Sequence, residues 1–476
     1  MHGLVSTAEV CAVDTEANNK DPQSALLLGV AFSVNAGEAF YVPVTEGDLI
    51  GLSTEQAKAG LQRLLGGSTR FVGHNIKFDC VLLRRHGITV KHVHFDTMLA
   101  AYECFGDWDF FNLSALAEKL LGKAIKRYRD IVGERETLLD VPFNELVEHG
   151  CADADTTLQL YHRLKQELEN RNLSQQFSGQ TMALLRTLVD KECNGVRLSI
   201  KAINRQREAL AEEVNALRKA VTAEAGREFD LDSPLDTASA LRGISSLAGR
   251  VGRRVTLIQL EELAGTHTLP RLIAKYRRAK KLGRELETVC AAVKHGRVFP
   301  IFNQIRWAHG SLSSTHPRIC DAGGPLDAGV VIDRTIREHM ADADRALYIL
   351  QRITGDEVFE KDWHEGGDRP SFIGGCAAER NLDQKHLLLS VVIGFSDAAL
   401  SSRFLIDRFT AAGIRHALEG KYAKLFRWLD IYRRDTLTQG YAQHNGRLKY
   451  LEGLKSSDLD KRQKALRSAV RWLIRY

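Results

Sequence analysis

Acidic side chains at Asp14, Glu16, Asp79 and Asp153 constrain the fold of this 476-residue chain more than any other feature. Cys11-Ala-Val-Asp14-Thr-Glu16 reads as an apolar strand that ends in two carboxylates one residue apart. Val72-Gly-His-Asn75-Ile-Lys-Phe-Asp79 reads as a strand end followed by a helix start. His149-Gly-Cys-Ala-Asp153-Ala-Asp155 falls within a long helical pattern. A fold that gathers these segments puts like charges into one cleft, where they repel and lose hydration. Divalent cations neutralise such a cluster. Carboxylate-rich oxygen sites suit Mg²⁺ or Mn²⁺, and two such ions roughly 3.5–4 Å apart are the apparatus for in-line attack on a phosphodiester.

The surrounding pattern is α/β at first. Val10–Asp14, Ala25–Val34 and Ala39–Val44 are β-rich runs separated by turn chemistry, Asn-Asn-Lys-Asp-Pro and Asn-Ala-Gly-Glu. Residues 143–170 predict one long helix, with Phe143, Leu146, Val147, Ala154, Leu158 and Tyr161 near a 3.6 period. From about residue 176 the pattern turns nearly all helical. Met182–Cys193 stops at Asn194-Gly195, and Ile200–Ala225 is long, amphipathic and charged.

Net charge is +6 and the isoelectric point near 8.8, a mild basicity compatible with nucleic acid. The eight scattered cysteines form no CxxC, which points to reduced thiols in a cytoplasmic protein rather than to zinc or disulfides. No stretch of about 18 apolar residues predicts a membrane span. The N-terminus shows no cationic start followed by an apolar block, so no secretion signal is expected. Arg277, Lys281 and Arg284 fall on one face of a basic helical run, which predicts phosphate contacts with little sequence preference and strong salt dependence.

The order and spacing of the acidic motifs resemble the proofreading 3′→5′ exonuclease domain of bacterial DNA polymerase I, a family A polymerase. That domain carries DxE, Nx3D and Yx3D motifs on a ribonuclease-H-like fold. The resemblance covers roughly residues 5–170 and includes Phe95-Asp-Thr-Met-Leu-Ala-Ala-Tyr102 and Asn112–Leu121 in the family's order. It continues more weakly into Cys193–Ser199, Glu228–Ser233, Leu269–Arg278 and His309–Pro317, which look like thumb segments and the stretch just past the thumb. The implied organisation is an α/β exonuclease domain with a mixed sheet at 1–175, a thumb-like helical domain at 176–318, and a mostly α palm- and fingers-like remnant at 319–476.

The resemblance implies roles. Asp14, Glu16 and Asp153 would hold one metal, Asp14 would bridge to a second, and Asp79 would assist through water. Asn75 and His74 would contact the terminal nucleotide. His149 stands where the family's third motif has a tyrosine that orients the attacking water, and a histidine there can take a proton near neutral pH. Lys20 replaces an apolar residue usually set beside the terminal base.

In the polymerase-like half the family's first palm motif decays. Asp342 or Asp344 is present without the following Glu and Arg, and the fingers helix keeps Lys385 but has Leu389 where an aromatic belongs. The chain ends at Arg475-Tyr476 before a His-Asp-Glu motif. The expectation is therefore a Mg²⁺- or Mn²⁺-dependent 3′→5′ exonuclease on DNA, acting at single-stranded or frayed 3′ ends or on duplex, with a polymerase-like body that does not polymerise. The alternatives are a non-catalytic nucleic-acid-binding scaffold, a working family A polymerase, and an exonuclease that trims RNA.

Overall fold

A computed structural model describes residues 2–45, 52–106, 108–247, 249–305, 312–319, 330–331, 343–359, 362, 384–444 and 447–473. They divide into two compact units. The first comprises Met1–Val196, Phe299–Ala308 and Tyr441–Gly453; the second comprises Arg197–Val298, His309–Gly440 and Leu454–Tyr476.

The first unit is built on a five-stranded mixed sheet. Its strands are β1 (Val10–Ala17), β2 (Leu27–Asn35), β3 (Glu38–Pro43), β4 (Arg70–Gly73) and β5 (Val93–Asp96), in the order β3-β2-β1-β4-β5. β1 pairs antiparallel with β2 and parallel with β4, which makes it the central strand. A central strand covered on both faces needs a near-continuous apolar run, and Cys11, Ala12 and Val13 supply it. The sequence predicts that this strand ends at the acids, but it runs on to Ala17. Pairing with β2 sets Asp14 opposite Ala31 and Glu16 opposite Gly29, and the register slips only after Glu16. The two carboxylates thus lie within the sheet.

The helices α1 (His2–Thr7), α2 (Thr54–Leu65), α3 (Ile76–Arg85), α4 (Thr97–Phe105), α5 (Leu113–Leu116), α6 (Tyr128–Val132), α7 (Phe143–Asn170), α8 (Ser174–Gln176) and α9 (Met182–Asn194) accompany the sheet. α7 spans 28 residues, lies against β1, β2 and β3, and buries Leu146, Ala154, Leu158, Leu164 and Leu168. Edge-to-face contact of Phe95 with Tyr161, at 5.0 Å between ring centroids, fixes β5 to the same helix.

A hairpin late in the chain, Tyr441–His444 with Arg447–Tyr450, belongs to this unit. Lys449 is 2 % exposed; its Nζ lies 3.6 Å from the centroid of the Tyr102 ring and donates to the Tyr102 carbonyl at 3.3 Å. An ammonium so buried is tolerable because the ring face and the carbonyl replace water. Leu448 exchanges backbone bonds with the Gln176 amide, and Trp108 Nε1 donates to Glu452 at 2.5 Å. A Cβ on Gly106 would fall 2.5 Å from the Tyr450 carbonyl oxygen, so the close approach requires glycine.

The second unit is mainly helical among its described residues. It contains α10 (Ile200–Ala225), α11 (Pro234–Arg242), α12 (Leu257–Leu263) and α13 (Thr268–Ala292), and α10 packs along α13. Helices Ala343–Thr354, Gln384–Ile393, Asp397–Phe404, Arg408–Lys421, Ala423–Gln439 and Leu459–Leu473 follow. Leu347, Phe359, Leu388, Val392, Leu418, Tyr422 and Leu429 form the centre of their apolar core. Asp342 and the side chains of Asp344 and Lys385 lie outside the described residues.

Candidate active site

Residues two apart on a strand face the same side, so β1 presents Asp14 and Glu16 together. Asp79 arrives from the first turn of α3. Its Oδ1 accepts from the Thr15 backbone N–H at 3.0 Å and the Thr15 hydroxyl at 2.5 Å, which moors α3 to the strand between the two acids. Asp153 comes from α7, one turn beyond His149.

Their proton affinities report the gathering. Burial, then Glu16, Asp153 and Asp79, push the Asp14 carboxyl well above the usual range. Glu16 is pushed up to about 8 by burial and by the charges of Asp153 and Asp79. Burial lifts Asp79 to about 7 against the two Thr15 hydrogen bonds, and Asp153 to about 7 against the Lys123 ammonium. All four acids predicted from sequence are therefore brought together.

Glu16 Oε1 and Asp153 Oδ1 are buried and have no hydrogen-bond partner among the described residues. Buried carboxylate oxygens left without a partner are costly, and an all-oxygen donor set is what hard divalent cations take. The residue types fit a Mg²⁺- or Mn²⁺-type ion in this respect. Among the described residues no three His, Cys, Asp or Glu side chains already stand as a coordinating set.

His149 Nε2 lies 4.0 Å from Glu16 Oε1 and 3.8 Å from Asp153 Oδ2, beyond hydrogen-bond reach of either. Burial and the Lys126 charge lower its pKa, favouring neutral imidazole. The next residue, Gly150, is where α7 meets the sheet. A Cβ there would stand 3.2 Å from both Glu16 Oε1 and Tyr41 Cε2. Asp155, two residues beyond Asp153, has a structural role. It accepts from Gly37 N–H at 2.7 Å, Lys123 Nζ at 3.0 Å and Gln159 Nε2 at 2.8 Å, tying the β2–β3 turn to α7.

Asn75 is the N-cap of α3, in the left-handed region at φ 59°, and its side chain makes no capping bond. His74 Nδ1 lies 2.9 Å from the Thr97 hydroxyl, and burial lowers its pKa to about 4, so the ring is neutral. Lys20 Nζ lies 5.3 Å from the centroid of the Tyr128 ring.

Sequence reasoning missed Thr15, Gly150 and Asp96 as parts of this arrangement. The Asp96 signal is present as an acid at a strand-to-helix junction. Thr15 and Gly150 matter through distances no periodicity encodes.

The basic run on α13 requires a correction. Arg277 is expected to face phosphates, but its guanidinium is spent within the second unit. It donates to the carbonyls of Leu231 at 3.0 Å, Val255 at 3.1 Å and Ser233 at 3.3 Å, and to the Thr237 hydroxyl at 2.9 Å. It serves as a bolt for the 231–255 segment. Lys281 and Arg284 are exposed, and Lys281 stands 4.0 Å from Glu285.

Residues 4–169 match the family model for a 3′-5′ exonuclease of the DNA polymerase A type, and residues 200–341 match the model for DNA polymerase family A. The chain is 26 % identical to DNA polymerase I of Pseudomonas aeruginosa over 97 % of its own length and 55 % of that protein's. It is 25 % identical to DNA polymerase I of Chloroflexus aurantiacus, over 97 % of the chain and 52 % of the relative. The two matched stretches are similar, in turn, to the exonuclease and polymerase parts of family A proteins. The chain spans about half the length of the curated relatives it matches. In fold it is similar to the POL domain of Pol1 from M. smegmatis, solved in complex with a DNA primer-template and dNTP. The TM-score is 0.69 at 19 % identity, with 99 % of this chain and 83 % of that one covered.

Proposed function

We propose that the first unit is a divalent-metal-dependent 3′→5′ exonuclease that removes nucleoside 5′-monophosphates from DNA ends. The observation that carries this reading is the convergence of four acids from β1, α3 and α7, with proton affinities raised by burial and, for Asp14 and Glu16, by the charges of the other acids, and with buried oxygens on Glu16 and Asp153 left unpaired among the described residues. Asp14, Glu16 and Asp153 would hold the more tightly bound of two Mg²⁺ or Mn²⁺ ions. Asp14 would also reach the second, and Asp79 would support that ion through water. Bound there, the ions would supply an ionised water near neutral pH and stabilise the leaving 3′-oxygen. Neutral His149 would orient that water and accept its proton. Asn75, with its amide unspent, and His74 would hold the terminal nucleotide. Lys281 and Arg284 would contact phosphates of bound DNA.

A 5′-labelled DNA oligonucleotide incubated with Mn²⁺ or Mg²⁺ tests the reading, with an RNA of the same sequence alongside. A ladder that disappears in Asp14→Ala supports it. Binding of the oligonucleotide without any ladder assigns the unit a scaffolding role instead, and a faster ladder on RNA reassigns the substrate.

The polymerase-like residues are proposed to bind nucleic acid without extending a primer. Leu389, in place of a fingers aromatic, packs against the apolar core of the second unit, and the Glu and Arg of the first palm motif are missing from the sequence. A cytoplasmic location is proposed with this function; among the described residues no helix is long and apolar enough to cross a membrane.

A further inference from the structure

The start of α3 is held by an acid from another element. β5 ends at Asp96, which is 1 % exposed. Its Oδ1 accepts from Leu99 N–H at 3.0 Å and from Asn75 N–H at 3.3 Å, and its Oδ2 accepts from Ile76 N–H at 2.9 Å. One carboxylate therefore serves the opening N–H groups of both α3 and α4. These are the groups a helix cannot satisfy internally.

This arrangement changes what Asn75 can do. An asparagine at an N-cap normally spends its side-chain oxygen on the N–H two or three residues on. Here Asp96 serves the N–H groups of Asn75 itself and of Ile76, the first helical residue, and the Asn75 side chain makes no cap bond. Its backbone sits at φ 59°, ψ 42°, a conformation asparagine tolerates better than most residues, and the bond from its own N–H to Asp96 holds it there. One turn further, α3 delivers Asp79 to Thr15. The position of Asp96 therefore sets both the direction of the Asn75 amide and the depth of the Asp79 carboxylate.

We propose that Asp96 is a positioning residue of the nuclease site, aligning the terminal-nucleotide contact of Asn75 and the metal-side carboxylate of Asp79 through its shared grip on two helix starts. The proposal rests on the exonuclease reading. It goes beyond that reading by adding a residue that touches neither nucleotide nor metal.

The test uses the full chain carrying Asp96→Ser, Asn75→Ala and both together. Serine can still cap α4 through Leu99 but is too short to serve Ile76 as well. Thermal melting, steady-state cleavage of a labelled oligonucleotide and calorimetric Mn²⁺ binding in the absence of DNA are measured for each. The Ser variant is expected to melt cooperatively within several degrees of the parent. Its kcat should fall and its Mn²⁺ binding weaken by about tenfold or more, as losses of outer partners of metal ligands do. Its KM should rise, and Asn75→Ala should raise KM much less in the Ser background than in the parent. Parental kcat, KM and Mn²⁺ affinity in the Ser variant would overturn the proposal, as would KM effects that multiply independently. If the Ser variant does not fold, the isosteric Asp96→Asn is read the same way, because its one carbonyl oxygen cannot stand at both the Oδ1 and the Oδ2 place and so leaves either Ile76 N–H or the Leu99 and Asn75 N–H groups facing an amide NH₂. If the parent yields no ladder, the exonuclease reading fails by itself, and Asp96 is still judged on Mn²⁺ affinity, where an unchanged value refutes it.

Discussion

The carboxyls of Glu16, Asp79 and Asp153 hold their protons to about pH 7–8, whereas the same groups in an unfolded chain ionise near pH 4. Between those limits the folded protein binds more protons than the unfolded chain, so stability falls as pH rises. The contribution is whole below about pH 4 and lost once pH passes about 8. In EDTA, the melting temperature of the parent should therefore drop between pH 5.5 and pH 8 by more than that of Asp14→Asn, which removes one of the repelling charges. Mn²⁺ should raise the parent's melting temperature more at pH 8 than at pH 5.5; no rise at pH 8 would sink the metal assignment. Gly150 gives a second prediction. An added methyl would press on Glu16 Oε1 and the Tyr41 ring at 3.2 Å, so Gly150→Ala should slow cleavage measurably, by less than the roughly hundredfold that a displacement of about 1 Å costs. A cleavage rate within twofold of the parent would show that the site absorbs the methyl. All four acids were legible at this scale because each sits in a motif with fixed spacing. The Thr15 mooring was not, since a hydroxyl beside an acid in sequence gives no sign of which distant carboxylate it meets.

Among elements, the buried pair Lys77–Glu192, at 2.5 Å, joins α3 to α9, and Glu192 Oε1 also accepts from Phe302 N–H at 2.7 Å. Lys77→Met should leave an uncompensated buried carboxylate and cost about 3–5 kcal/mol in urea unfolding, with most of it recovered by adding Glu192→Leu. An additive double variant would contradict that account. On α13, Arg277→Ala should destabilise the second unit by about 2–4 kcal/mol because three half-buried carbonyls lose their donor. Lys281→Ala and Arg284→Ala should leave stability within about 0.5 kcal/mol. Each should instead lower the salt slope of DNA binding by about one. A salt slope unchanged in both would remove them from the interface. The helices Phe143–Asn170 and Ile200–Ala225 were readable to their ends, the second closed by Gly226 in the left-handed region at φ 67°. The inward turn of Arg277 was not readable. Periodicity assigns a residue to a face, while the partner opposite that face comes from a segment some forty residues away.

For the whole molecule, a primer-template with all four dNTPs should show no templated extension under conditions where the 3′→5′ ladder is visible, and extension would reverse the reading of the polymerase-like half. The change from strands alternating with helices to a helical pattern near residue 176 could be read from the residues, the mixed sheet came only with the family resemblance, and the first unit runs on past that change to Val196. The return of the chain at Tyr441–Gly453 into the first unit was invisible, because a short hairpin carries no mark of the surface it joins. That return bears on how the protein can be dissected. A clone stopped near residue 196 would uncover the Tyr102 ring face, strip Trp108 of its acceptor and open the crevice beside Gly106. Poor solubility or weak cleavage in such a fragment would reflect a missing lid rather than an inert catalyst, and supplying the 441–453 peptide in trans should restore part of what was lost.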